Sequence, residues 1–147
     1  MSAGAAIYKD SCAACHKDTG AGEPHLFPRL AGSALVQSDD PTTLARVVLQ
    51  GTRAASTESM RTAPAMPAFA WRVDDAQIAA VLTFIRNSWG NAAAPVAAST
   101  IANQRGRLAA APWRIAQRVL LTLYGSVTSL QWTDQSPSLA RLNTSVA

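Results

Sequence analysis

The only two cysteines of the chain, Cys12 and Cys15, are followed at once by His16, and C-x-x-C-H is the spacing with which a protein attaches a c-type haem. Each thiol can add to one vinyl group of a porphyrin, while the imidazole next in line is left facing the iron. Residues three apart in a helical turn share a face, so both sulfurs can reach neighbouring vinyls of one ring. Other uses of these residues fit less well. A redox dithiol of the thioredoxin type needs a strand leading into the motif and a βαβ context, whereas Ser2 to Ser11 reads as a helix. Zinc could take Cys12, Cys15, His16 and His25, but finger-like sites separate the Cys pair from the His pair by about 12 residues or more. A disulfide across two residues would close almost no loop and stabilise little.

The elements that must position this motif follow from periodicity and punctuation. Ser2 to His16 is helical in pattern, with Ser2 as N-cap and Gly4, Ala5, Ile7 and Tyr8 available to pack inward. Lys17 to Ser38 is a loop marked by Gly20, Gly22, Pro24, Pro28 and Gly32. Asp40-Pro41 opens a second helix whose apolar face, Leu44, Val47 and Val48, stops at Gly51. Thr52 to Trp71 is irregular and holds Met60, Pro64, Met66 and Pro67. Asp74 with Gln77 forms a capping box for a helix through about Trp89, with Ile78, Val81, Leu82 and Ile85 inward. Three or four helices joined by long loops make a poor core in about 90 residues unless something large fills the centre. A haem would do so, with the loops wrapping its two faces.

Charge divides the chain. Residues 1–90 carry eight basic and eight acidic groups, and the net charge of +4 lies wholly beyond Gly90. No basic cluster coincides with a nucleic-acid-binding motif, and no run of 18 apolar residues is present to span a bilayer. Met1 leads straight into the first helix without a basic segment and apolar core, so no signal peptide is expected in these residues. Haem attachment of this kind is expected outside the cytoplasm, and the simplest expectation is a fragment, or an internal start, of a longer exported protein.

In this order of parts, residues 1–90 resemble a class I cytochrome c: an all-α fold of three to four helices and long loops around one covalently bound haem. Gly4 and Tyr8 stand eight and four residues before Cys12, like the glycine and aromatic through which that family's first helix crosses its last, and Val81, Phe84 and Ile85 resemble the answering positions. Pro28-Arg29-Leu30-Ala31-Gly32 is similar to the family's P-x-L-x-G, which implies that the Pro28 carbonyl accepts a hydrogen bond from the axial His16. Met66-Pro67-Ala68-Phe69 resembles the axial-methionine loop and implies Met66 as the distal iron ligand. Met60 lacks the following proline and is assigned to packing. His25, nine residues beyond His16, belongs to the stretch that should wrap the proximal face.

The wording of Phe27 to Gly32, Asp40 to Gly51 and Met66 to Gly90 is closer still to the last haem domain of the multihaem cytochrome c subunit of bacterial membrane-bound alcohol, gluconate or sorbitol dehydrogenases. That likeness covers about residues 2–98. It implies one-electron transfer in the periplasm or at the periplasmic face of the inner membrane, a dehydrogenase catalytic subunit as donor, and a quinone or terminal oxidase as acceptor. Such subunits carry three haem motifs and this chain one. A five-coordinate haem sensor or peroxidase-like site, and a non-haem interaction module with structural cysteines, stay open as alternatives.

Beyond the haem domain, Asn91 to Thr100 reads as a flexible alanine-rich linker, and residues 101–147 as a basic tail. Trp113 to Tyr124 could form an amphipathic helix, lying in a membrane interface or docking on a partner subunit. The Arg-, Ala-, Ser- and Thr-rich composition, without Lys or Glu, also fits a frame-shifted or fused end, which is the favoured expectation.

Overall fold

The computed structural model describes residues 2–56, 58 and 64–110. Met60 and the Trp113 to Tyr124 segment lie outside the described residues. The elements in chain order are α1 (Ala3–Ser11), α2 (Ala13–His16), α3 (Ala34–Gln37), α4 (Thr42–Gln50), β1 (Thr52–Arg53), β2 (Ala65–Met66), α5 (Asp75–Arg86) and α6 at 98–110. The fold is all-α apart from the two-residue strands β1 and β2, as the sequence leads one to expect. Its helices outnumber the three or four expected because single turns, α2 and α3, form where the sequence reads as a helix end and as a loop.

Local signals set the helix ends. The Ser2 hydroxyl accepts from Ala5 N at 3.3 Å, satisfying a donor that a helix start leaves free. Cys12, between α1 and α2, breaks the expected single helix, with φ −123° and ψ −35°. Before α4, the Asp40 carboxylate accepts from Thr42 N at 2.9 Å; hydrogen bonding from the Thr42 side chain, and then from its backbone, holds the Asp40 pKa below the ordinary value. The expected capping box of α5 is complete: Gln77 N donates to Asp74 Oδ1 at 2.8 Å and Asp74 N to Gln77 Oε1 at 3.0 Å.

The core forms where α1 crosses α5. Gly4 is required there, since a Cβ on it would lie 2.7 Å from the Ala80 carbonyl carbon and 2.9 Å from Phe84 Cβ. One turn on, Tyr8 stacks against Phe84 and Trp89 with ring centroids 5.5 and 4.9 Å away, separations at which tilted aromatic pairs attract. All four expected inward residues of α5, Ile78, Val81, Leu82 and Ile85, are buried, together with Leu44 and Leu49 of α4.

The stretch after Gly90 departs from expectation. Residues 91–100 are packed rather than a flexible linker: Asn91 and Val96 are buried, and Ile101 in α6 has no exposed surface. Backbone and side-chain bonds tie the stretch to α5, with Ala93 N donating to Arg86 O at 3.0 Å and Val96 N to Thr83 Oγ1 at 2.9 Å. Arg86, itself buried, donates to the carbonyls of Val36, Ser38 and Ala94, each at 2.8 Å. A buried cation is tolerable when its donors are filled in this way. The compact unit accordingly takes in α6, and Leu108 of α6 packs on its core.

Candidate functional site

The motif residues sit on the α1–α2 break and the turn that follows. Both cysteines carry free thiols, Cys12 half-buried and Cys15 exposed. Burial, then the charges of Cys15 and Asp10, push the Cys12 thiol up to about 11, so it stays neutral at ordinary pH. His16 is 8% exposed. Its Nδ1 lies 2.9 Å from Pro28 O. A carbonyl can only accept, so Nδ1 carries the proton and the lone pair is left on Nε2.

Pro28 is brought to the histidine by a tightly turned loop. Gly22 N donates to His16 O at 3.0 Å, and Leu30 N and Ala31 N both donate to Gly20 O, at 2.8 and 3.0 Å. Lys17 pairs with Glu23 at 3.0 Å across the loop's neck, and Tyr8 OH donates to Lys17 O at 2.6 Å. Burial foremost, with the Cys12 and Asp18 charges, raises Tyr8 to about 12. Asn91 anchors the far end of the loop: its Oδ1 accepts from Gly32 N at 2.8 Å, and its Nδ2 donates to Leu30 O at 3.1 Å and Ile85 O at 2.9 Å. Asn91 is thus a structural partner of the P-x-L-x-G segment that motif reading missed. His25 is exposed in the same loop, at φ 63°.

Met66 is half-buried on β2, in an antiparallel pair that sets Thr52 against Met66 and Arg53 against Ala65. Gly51, at φ 70°, ends α4 and lets the two backbones meet: a Cβ there would strike the Met66 carbonyl oxygen and lie 2.8 Å from Ala68 N. Further on, Phe69 N donates to Val48 O at 3.0 Å and Ala70 N to Leu49 O at 3.3 Å, so the last turn of α4 holds the segment that carries Met66.

Two cysteines three residues apart, beside an imidazole whose Nδ1 proton is committed to Pro28 O and whose Nε2 has no hydrogen-bond partner among the described residues, are the donor set that a covalently attached haem requires. Bare metal is served poorly: among the described residues no group of three or more His, Cys, Asp or Glu converges on one point, and Cys12, Cys15, His16 and His25 do not form a zinc site.

A cytochrome c family model matches residues 1–89, and the chain belongs to the cytochrome c family, electron carriers with covalently bound haem c. The chain is 46% identical over 106 residues to the gluconate 2-dehydrogenase cytochrome c subunit of Pantoea cypripedii, covering 69% of this chain and 24% of that protein. It is 38% identical over 137 residues to the cytochrome c subunit of the quinone-dependent alcohol dehydrogenase of Gluconobacter oxydans, covering 89% of this chain and 28% of that protein. Cytochrome c-552 of Thermus thermophilus is 38% identical over 93 residues, covering 60% of this chain and 70% of that protein. The chain therefore spans about a quarter of the length of the first two relatives. A match over 89% of the chain necessarily runs past residue 100, so the likeness does not stop near residue 98 and the expected frame-shifted or fused end loses its main support. Among the described residues no helix is long and apolar enough to cross a membrane.

Proposed function

We propose that this chain is the one-haem electron-transfer module of a periplasmic dehydrogenase complex, with Cys12 and Cys15 as the thioether residues, His16 as proximal iron ligand and Met66 as distal ligand. The observation that carries the reading is the His16 Nδ1–Pro28 O hydrogen bond of 2.9 Å, which fixes the tautomer and ring orientation that an iron-binding Nε2 needs. When bound, the haem supplies a one-electron Fe(III)/Fe(II) couple. The chain's part would be to hold the haem with Cys12, Cys15, His16 and Met66, and to keep the His16 ring and the Met66 segment in place. A thioether on one side favours Fe(II) relative to a second imidazole. The names of the relatives support a dehydrogenase catalytic subunit as donor, with a quinone or terminal oxidase as the acceptor that this reading carries.

Met66→Ala tests the distal assignment. The weak ferric charge-transfer band that thioether ligation gives at the red edge of the spectrum should vanish and the reduction potential should fall, whereas Met60→Ala should leave both in place. A band that survives in Met66→Ala while Met60→Ala or His25→Ala changes the axial spectrum would assign the sixth ligand elsewhere.

A further inference from the structure

Arg105 stands on α6, outside the residues matched by the family model, yet its guanidinium reaches back to residues 70–75, the stretch that follows the Met66 loop. Its Nη1 donates to Ala70 O, its Nη2 to Val73 O at 2.9 Å and its Nε to Asp75 Oδ1 at 2.8 Å. The Arg105 and Asp75 side chains are each 31% exposed, partly shielded from the water that weakens surface pairs. Three donors of one rigid fork thus close on two carbonyls of the turn after Phe69 and on the first residue of α5. Lysine, a point charge on a flexible stem, cannot reproduce that geometry.

The same turn is fastened from its other end by α4. Phe69 N and Ala70 N donate to Val48 O and Leu49 O, and Arg72 N and Val73 N both donate to Phe69 O, at 3.0 and 3.1 Å. Ala70 is where the two fastenings meet, its N–H given to α4 and its carbonyl taken by α6. Met66 lies four residues upstream. The helix is well placed to bear load, since Ile101, one turn before Arg105, is wholly buried.

We propose that Arg105 is a positioning residue for Met66: it latches the end of the Met66 segment onto α6 and thereby limits how readily another ligand takes the methionine's place on the iron. The inference rests on Met66 being the sixth ligand. An exogenous ligand binds only the fraction of molecules whose methionine has left, so its apparent affinity measures that fraction.

The test is imidazole titration of the ferric holoprotein, followed by its Soret shift, for the parent, Arg105→Lys and Arg105→Ala, each also in a Met66→Ala background. Loss of hydrogen bonds to a charged group of this kind corresponds to roughly a tenfold change in an equilibrium constant, so imidazole should bind about tenfold tighter to Arg105→Lys than to the parent. The Met66→Ala pair should differ less than twofold. Arg105→Lys keeps the charge and the helix, and so reports even if Arg105→Ala does not fold. Unchanged imidazole affinity in Arg105→Lys, or an equal rise in both backgrounds, overturns the latch, because the arginine would then act elsewhere than on Met66. A charge-transfer band that persists in Met66→Ala identifies the other failure, that of the His16/Met66 reading, and the latch falls with it.

Discussion

The segment from Cys12 to Gly32 and the segment from Pro64 to Val73 are held by different kinds of contact. In the first, the bonds that matter are local: His16 meets Pro28, Gly22 meets His16, and Leu30 and Ala31 fold back on Gly20. Its remote anchors are Asn91 and Trp89, whose Nε1 donates to Asp18 O at 2.9 Å. The Met66 segment takes its support from other elements, namely β1, the last turn of α4 and, most distant in sequence, Arg105 on α6. A local arrangement forms whenever its own residues are right. A borrowed one can be loosened from several places without touching the residue it serves.

The sharpest way to break this contrast is to remove the covalent anchor. Cys12→Ala with Cys15→Ala should leave a largely unfolded chain, because a group that binds only the native state contributes its binding energy to folding. Far-UV circular dichroism and thermal melting would show it. Native-like helical content with a sharp transition in the absence of haem would mean that the helices suffice, and that the first segment is not organised around the group it carries.

The remote support can be tested next. Ile101→Ala removes most of a wholly buried side chain, a change that typically costs about 2–5 kcal/mol, and the denaturant midpoint should fall accordingly. If residues 91–110 were a dispensable linker, the midpoint would hardly move. Gly51→Ala acts closer to the Met66 segment: it forces a Cβ onto φ 70° and against the Met66 carbonyl and Ala68 N. The strain is on the order of 1–3 kcal/mol, and the thioether band should weaken along with stability. A stable Gly51→Ala protein with an unaltered band would show that β1 and β2 do not position Met66.

The two segments also differ in how far they can be read from sequence. C-x-x-C-H, the Ser2 cap, the Asp74/Gln77 box and the stop at Gly51 are legible because each depends on residues a few positions apart. The α1–α5 crossing was legible from Gly4 and Tyr8 through resemblance, although the backbone that Gly4 meets is that of Ala80, with Phe84 beside it. The role of 91–110 was not legible. Alanine and proline after a glycine read as a linker by composition, yet alanine is also the best helix former, and only tertiary contacts decide between the two. A signal was present: Ile101, Gln104, Arg105 and Leu108 recur at one-face helical spacing. Nothing in sequence reveals that Asn91, Arg86 and Arg105 spend their donors on carbonyls of other elements, because backbone acceptors leave no mark on residue type.

Tyr8 offers the smallest and most selective test, one confined to the first segment. Its hydroxyl donates to Lys17 O at 2.6 Å, next to His16, and burial raises its pKa from 10.0 to about 12. Between these values the unfolded chain has lost the tyrosine proton and the native state keeps it, so stability falls as pH rises. The contribution is full below about pH 10 and gone once pH has passed 12. Cys12 as a free thiol would add a similar loss, since it too is raised, to about 11; as a thioether it has no proton to lose, and the holoprotein therefore reports Tyr8. Tyr8→Phe should cost about 1 kcal/mol at neutral pH, the net worth of one hydrogen bond, and the gap to the parent should narrow between pH 10 and 12. Parallel stability curves for the two proteins over that window would show that the Tyr8 hydroxyl is not buried against the loop that carries Pro28 to His16. The loop's local bonds would then have to hold it without that support.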